Sequence, residues 1–273
     1  SCTSPSEKGR LNLINNYERK LSLESTTAMS KWNGKNVLCI GDSITSDGRW
    51  QAEFARRTGC NISTHANGGI GLIDMVDGQS RFAGDPNTAV SGKLGPLTVE
   101  KLRTVDLIIL LGAYNERDIE YGKKGDMYPE QKTLRAKFAY VIEKIYALLD
   151  ECDHLGCRLM LVTPHCVGRY DWVCADGYEE FPEGSGRSLE TMAEEIKRIA
   201  GEYNIPCCDA WHTSGINRFT WKHFTHSSVV MNPDYDPEKE YVAPYPQYAD
   251  QSHMNDAGYA RLGECIAAFA EGI

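Results

Sequence analysis

Residues 36–45 read Asn36-Val37-Leu38-Cys39-Ile40-Gly41-Asp42-Ser43-Ile44-Thr45. A short apolar run meets a glycine, and polar residues then open a helical pattern carrying Trp50, Phe54 and Ala55. An apolar run of this length bounded by a turn signal reads as a buried strand, here handing over to a helix. The same texture recurs downstream, with apolar runs at 36–40, 61–65, 106–111, 157–163 and, weakly, 205–208. Alternation of such runs with helical periodicity predicts a parallel sheet with crossover helices. The clearest helical stripe covers about 131–150, with Leu134, Phe138, Val141, Ile142, Ile145, Leu148 and Leu149 on one face. A second, about 188–203, has Ser188 as its N-cap and Leu189, Met192, Ile196 and Ile199 inward. A third begins near Asn255 and carries Tyr259, Leu262 and Ile266. The expectation is one α/β catalytic domain over 35–273, preceded by a polar lead-in helix or tether at 1–34.

Composition narrows the function. The chain has 273 residues, 41% hydrophobic and 25% charged, enough to bury one large core. Its net charge is −9, and no basic cluster longer than two residues occurs. A phosphate backbone would attract the opposite balance, so nucleic acid is not an expected partner. No apolar run approaches the roughly 20 residues that span a bilayer. Cys2 followed by the polar Thr3-Ser4-Pro5-Ser6-Glu7-Lys8 fits a lipid-modified cysteine on a short tether, beside the plainer reading of a frayed end. The reading leans to a secreted or cell-surface protein. Ten cysteines include no Cys-x-x-Cys, and Cys39 and Cys157 sit in strand-like runs where a thiol packs as a small hydrophobe. No metal site is expected.

Chemistry concentrates after the strands. In open parallel sheets, ligands bind beyond the carboxyl ends of the strands. Ser43 stands at a strand-to-helix turn, with its hydroxyl exposed and its N–H near a helix N-terminus that favours negative charge. Near the C-terminus runs Asp250-Gln251-Ser252-His253. A hydroxyl needs a base to take its proton, and histidine, with an unperturbed pKa of about 6.5, suits that task. A carboxylate such as Asp250 can hold the second ring nitrogen. After the second strand comes Ala66-Asn67-Gly68-Gly69-Ile70-Gly71, which lacks Gly-Lys-Ser/Thr and so is no phosphate loop. Its bare backbone can aim an N–H at an oxyanion. After the third strand comes Gly112-Ala113-Tyr114-Asn115-Glu116, whose Asn115 amide can add another donor. Each segment alone is a weak signal.

Together the four segments resemble the SGNH (GDSL-type) hydrolase family, whose Ser, Gly, Asn and His occupy separate blocks. Here they fall in that order as Ser43, Gly69, Asn115 and His253, over about residue 36 to the end. The resemblance implies a flavodoxin-like, three-layer α/β/α sandwich around a central parallel sheet of about five strands. It also implies ester hydrolysis through an acyl-enzyme without metal or cofactor. Ser43, His253 and Asp250 would form the triad, and the Ser43 N–H, Gly69 N–H and Asn115 side chain the oxyanion hole. The third block departs from the usual Gly-x-Asn-Asp: one extra residue separates Gly112 from Asn115, and Glu116 replaces Asp.

For the substrate, residues 210–249 read as a long loop. It is rich in aromatic and histidine residues, Trp211, His212, Phe219, Trp221, His223, Phe224, His226, Tyr235, Tyr241, Tyr245 and Tyr248, and carries four prolines. Such a segment suits sugar-ring stacking as well as simple packing. Asp42, Tyr114, His165, Trp221 and His223 are candidate pocket residues. The expected substrate is an acylated small molecule or glycan, with an O-acetyl carbohydrate ester foremost. The rivals are a lipid or thioester acylhydrolase and, from another class, a glycan-binding module with a dormant site.

Overall fold

A computed structural model describes residues 29–79, 94–116, 119–168, 178, 180, 186–225 and 252–273. Five strands form one sheet: β1 Asn36–Gly41, β2 Asn61–Ala66, β3 Leu107–Leu111, β4 Arg158–Val162 and β5 Cys207–Cys208. Their order is β2-β1-β3-β4-β5, and every pairing is parallel. This is the flavodoxin-like order, with its switch point between β1 and β3. All residues of β3 are buried, as are the last five of β1, because helices cover both faces. At the sheet edge, β2 is the polar strand Asn-Ile-Ser-Thr-His-Ala and is buried mainly at His65.

The helices are α1 Ser43–Ser46, α2 Arg49–Thr58, α3 Asp74–Asp77, α4 Val99–Leu102, α5 Leu134–Glu151, α6 Leu189–Glu202, α7 Ala210–Thr213, α8 Trp221–Phe224 and α9 Asp256–Ala270. Helices α2 and α9 pack on each other, and α5 packs on α3 and α4. Arg135 of α5 also pairs with Glu195 and Glu202 of α6. The order of the strands and the right-handedness of parallel crossovers put α2 on one face and α3–α6 on the other. The sandwich of helices, sheet and helices is therefore the expected one.

The predicted stripes are the buried faces. Leu134, Phe138, Val141, Ile142, Ile145 and Leu149 of α5 are in the core, and Leu148 packs at its margin. Leu189, Met192, Ile196 and Ile199 of α6, and Tyr259, Leu262 and Ile266 of α9, are also buried. Ser188 caps α6 in a reciprocal box with Thr191, each side chain bonding the other's backbone N–H. Before β1, Trp32 is buried and its indole N–H donates to the Ala270 carbonyl at 2.9 Å. The lead-in helix expected near Leu11–Tyr17 lies outside the described residues.

Residues 210–225 are not wholly the loop that their composition suggested, since the single turns α7 and α8 interrupt it. Asp209 caps the single turn α7, and Trp211 is buried in the core, edge-on to Tyr178. The single turn α8 packs on α9. Periodicity cannot reveal helices of one turn, and Trp211 is there to pack, not to stack on a sugar. Residues 226–251 lie outside the described residues.

Asn255 joins α8 to α9. Its Oδ1 accepts the Gly258 N–H at 3.0 Å as the cap of α9, and its Nδ2 donates to the carbonyls of His223 and Thr225 at 2.8 and 3.2 Å. Ser188→Ala should cost about 1 kcal/mol, the usual worth of an N-cap. Asn255→Ala removes a cap plus two tertiary bonds and should cost roughly 2–3 kcal/mol. Urea unfolding midpoints check the order; equal losses would mean that the α8 contacts contribute nothing.

Candidate active site

The register sets Gly41 opposite Ala66 on β2 and opposite Leu111 on β3, and Leu111 opposite Val162 on β4. The segments following these strands therefore leave the sheet side by side. Gly41 is obligatory at this crossing. A Cβ there would lie 2.2 Å from both the Leu111 carbonyl and Thr45 Oγ1, far inside van der Waals contact.

Ser43 begins α1, and Asp42 is its N-cap, accepting the Ile44 N–H at 3.1 Å. Ser43 Oγ lies 2.7 Å from Nε2 of His253. These residues are 210 positions apart in the chain. An Nε2 that accepts the seryl proton leaves Nδ1 as the ring's N–H, which is the tautomer a base needs. Asp250, the expected partner of that N–H, lies outside the described residues.

The His253 segment is tied down on both sides. Met254 bridges to Thr225 in an antiparallel pair, and the Asn255 N–H donates to the Phe224 carbonyl at 3.0 Å. Arg49 of α2 pairs with Asp256 at 2.6 Å. On the other side, the Ser252 carbonyl lies 3.0 Å from Nε2 of His165.

The glycine loop comes close to the serine: a Cβ on Gly68 would lie 4.0 Å from that of Ser43. Gly69 has φ +72°, a conformation that glycine adopts without strain. Neither the Ser43 N–H nor the Gly69 N–H meets an acceptor among the described residues. Asn115 Nδ2 donates to the Ile70 carbonyl at 2.9 Å, which binds the third block to the second and leaves one amide proton over. The extra residue in the third block is absorbed locally. Ala113 takes φ +87°, and Tyr114–Glu116 form a turn of 3₁₀ helix that delivers Asn115 to the glycine loop.

Glu116, the residue that departs from the motif this sequence resembles, props this loop from below. It is 3% exposed, accepts the Leu72 N–H at 2.7 Å and pairs with Lys137 of α5. Gly71 makes room for it, since a Cβ there would sit 2.7 Å from its Oε1. The departure from the motif was the available signal for this support; its partners Leu72 and Lys137 had none.

The candidate pocket residues divide. Asp42 is fully buried beneath the serine, and among the described residues its Oδ2 has no hydrogen-bond partner. Tyr114 and His165 are buried as well, at 3% and 0% exposure, so they support the site from within and do not line an open cleft. The half-buried Trp221 lies against Gly168, where a Cβ would come within 2.3 Å of its ring. His223 is exposed, and His226, its neighbour in sequence, lies outside the described residues. Elsewhere Glu194, Asp209 and His212 gather at ligand distance, but Lys197 bonds Asp209 at 2.7 Å and Glu194 at 3.0 Å and offsets their charge.

No family model matches the sequence, and no curated protein matches it. Solved structures do. A possible lipase from Chitinophaga pinensis is 18% identical with a TM-score of 0.57, covering 85% of this chain and 96% of its own. A catalytic mutant of an acetylxylan esterase from Geobacillus stearothermophilus is 16% identical with a TM-score of 0.50, covering 88% and 96%. A protein from Lactobacillus plantarum is 14% identical with a TM-score of 0.58, covering 88% and 98%. The chain shares the three-layer α/β/α fold of these structures. Within that fold, the segments carrying Ser43, Gly69 and Asn115 follow β1, β2 and β3, and His253 precedes α9.

Burial pushes the Asp42 carboxyl up to about 7, against the pull of the Ile44 N–H and of positive charge on His253. An unfolded aspartate loses its proton near pH 4. Between there and about 7 the folded chain keeps a proton that the unfolded chain has lost, so Asp42 weighs increasingly against folding as pH rises. Asp42→Asn retains the Oδ1 acceptor. Its stability relative to wild type should therefore improve between about pH 5 and about pH 7.5 and level off above. Paired urea titrations test this; a difference independent of pH would contradict it.

Proposed function

We propose that the protein is a serine esterase that hydrolyses short-chain acyl esters, O-acetyl groups on a carbohydrate or glycan foremost. The contact of 2.7 Å between Ser43 Oγ and His253 Nε2 carries the reading. The Ser43 and Gly69 N–H groups, which meet no acceptor among the described residues, and the spare Asn115 proton support it. Ser43 Oγ attacks the ester carbonyl while His253 Nε2 takes its proton. The oxyanion accepts hydrogen bonds from the two N–H groups and the Asn115 amide. His253 returns the proton to the departing alcohol, leaving an acyl-enzyme. Water, deprotonated by His253, then releases the acid and restores Ser43. Asp250 holds the Nδ1 proton of His253 throughout.

The likeness in fold to an acetylxylan esterase favours a sugar acetate, as does the aromatic-rich sequence before Asp250. The likeness to a possible lipase favours the second reading, a lipid or thioester acylhydrolase.

With p-nitrophenyl acetate, Ser43→Ala should lower kcat/KM by at least about 10³-fold, and Asn115→Ala should lower kcat by about 10²-fold with KM little changed. Equal turnover by wild type and Ser43→Ala would sink the esterase reading. Glycan affinity without fluorophosphonate labelling of Ser43 would point instead to a binding module. A panel of acetyl and long-chain esters decides the acyl group; preference for the long chain would defeat the acetyl assignment.

A further inference from the structure

His165 follows β4 in Thr163-Pro164-His165 and is wholly inaccessible to solvent. Its backbone N–H and both ring nitrogens meet partners. The backbone N–H donates to the Tyr114 hydroxyl oxygen at 2.7 Å, Nδ1 meets the same hydroxyl, and Nε2 meets the Ser252 carbonyl at 3.0 Å. A carbonyl only accepts, so Nε2 carries the ring proton; in the neutral ring Nδ1 then accepts the Tyr114 O–H. One tautomer satisfies every partner.

The partners are what give this arrangement meaning. Tyr114 is the residue before Asn115, and Ser252 is the residue before His253. The imidazole thus spans the 3₁₀ turn that supplies the amide donor and the segment that supplies the base. Ser252 is 2% exposed and Tyr114 3%, so water does not substitute for the ring at either end. An apolar side chain of equal volume would fill the space and leave the hydroxyl and the carbonyl without their partner, a costly condition in a buried site.

We propose that His165 is a positioning residue that fixes His253, and with it Asn115, relative to Ser43 through the Tyr114–His165–Ser252 chain. The inference rests on reading His253 as the base. A displacement of about 1 Å in a catalytic group can cost on the order of 10²-fold in rate. The chain therefore acts on turnover, not on substrate affinity.

Three variants separate positioning from packing. Asparagine at 165 is too short to reach the Ser252 carbonyl; glutamine extends a donor to about the place of Nε2; Tyr114→Phe removes the hydroxyl. His165→Asn and Tyr114→Phe should lower kcat roughly 10- to 100-fold with KM held within about twofold, and His165→Gln should recover most of the loss. The ¹⁵N resonance of His253 Nε2 gives a readout that needs no turnover. In wild type it should carry the signature of a nitrogen accepting the Ser43 hydroxyl, which Ser43→Ala abolishes. His165→Asn should move it toward the Ser43→Ala position, while His165→Gln keeps it near wild type. A wild-type resonance in His165→Asn overturns the proposal, and so does a His165→Gln protein no better than His165→Asn. Should His165→Asn fail to fold, Tyr114→Phe and His165→Gln decide by the same resonance. If wild type hydrolyses no ester, the esterase reading fails, and the resonance still decides whether His165 fixes His253.

Discussion

The crossing of β1 and β3 at Gly41 is the contact on which the site depends. Helices flank both faces, and β3 and all of β1 but Asn36 are buried, so their ends cannot slide without exposing apolar surface. With Gly41 level with Ala66 and Leu111, three loops must emerge together. The serine turn, the glycine loop and the asparagine turn become neighbours through sheet register alone. The absent side chain at Gly41 lets the Leu111 carbonyl and Thr45 pack where a Cβ would stand. Chemistry at this edge is therefore a product of backbone geometry first and of side chains second.

Electrostatics follow from the same enclosure. Asp42 must be buried because the turn that exposes Ser43 points the preceding side chain inward, where one oxygen caps α1. Removal from water raises its pKa to about 7. Positive charge on His253 lowers that value, and by reciprocity an ionised Asp42 favours a protonated His253. The two groups thus influence each other's charge beside Ser43. On the proposed mechanism, a neutral Asp42 would leave the N–H groups free to meet an oxyanion, whereas an ionised one would favour the imidazolium formed in the same step.

The fold was legible because its elements are long or strongly patterned. Buried strands read as apolar runs, α5, α6 and α9 read as stripes, and the cap Ser188 stands where a side-chain oxygen meets a free N–H group. Four short blocks in order singled out Ser43, Gly69, Asn115 and His253 as candidates, and the structure brings the segments that carry them together. Legibility failed where tertiary contacts decide. The single turns α7 and α8 are too short for periodicity, so their aromatics looked available for a ligand when Trp211 was needed in the core. His165 and Tyr114 were noticed for their chemistry, but the partner that buries His165 comes from Ser252, 87 residues away. The ion pair of Glu116 with Lys137 similarly joins a turn to a distant helix, and local sequence carries no trace of it.

His253 presents a mechanical problem that packing cannot solve. On the proposed mechanism, a base that receives a proton from Ser43 and hands it to a leaving group has to stay accessible, and His253 is only half-buried. A side chain enclosed on all sides is held by its neighbours' volume; one at an opening is held only by its own backbone. That backbone is accordingly fastened by directed bonds on either side of the residue: Ser252 to His165, Met254 to Thr225, Asn255 to the end of α8. Hydrogen bonds contribute modestly to net stability, about 1 kcal/mol each, but they are far more directional than apolar contact. At this loop direction is the scarce quantity. The polar ties around His253 are better understood as setting its position than as holding the fold together.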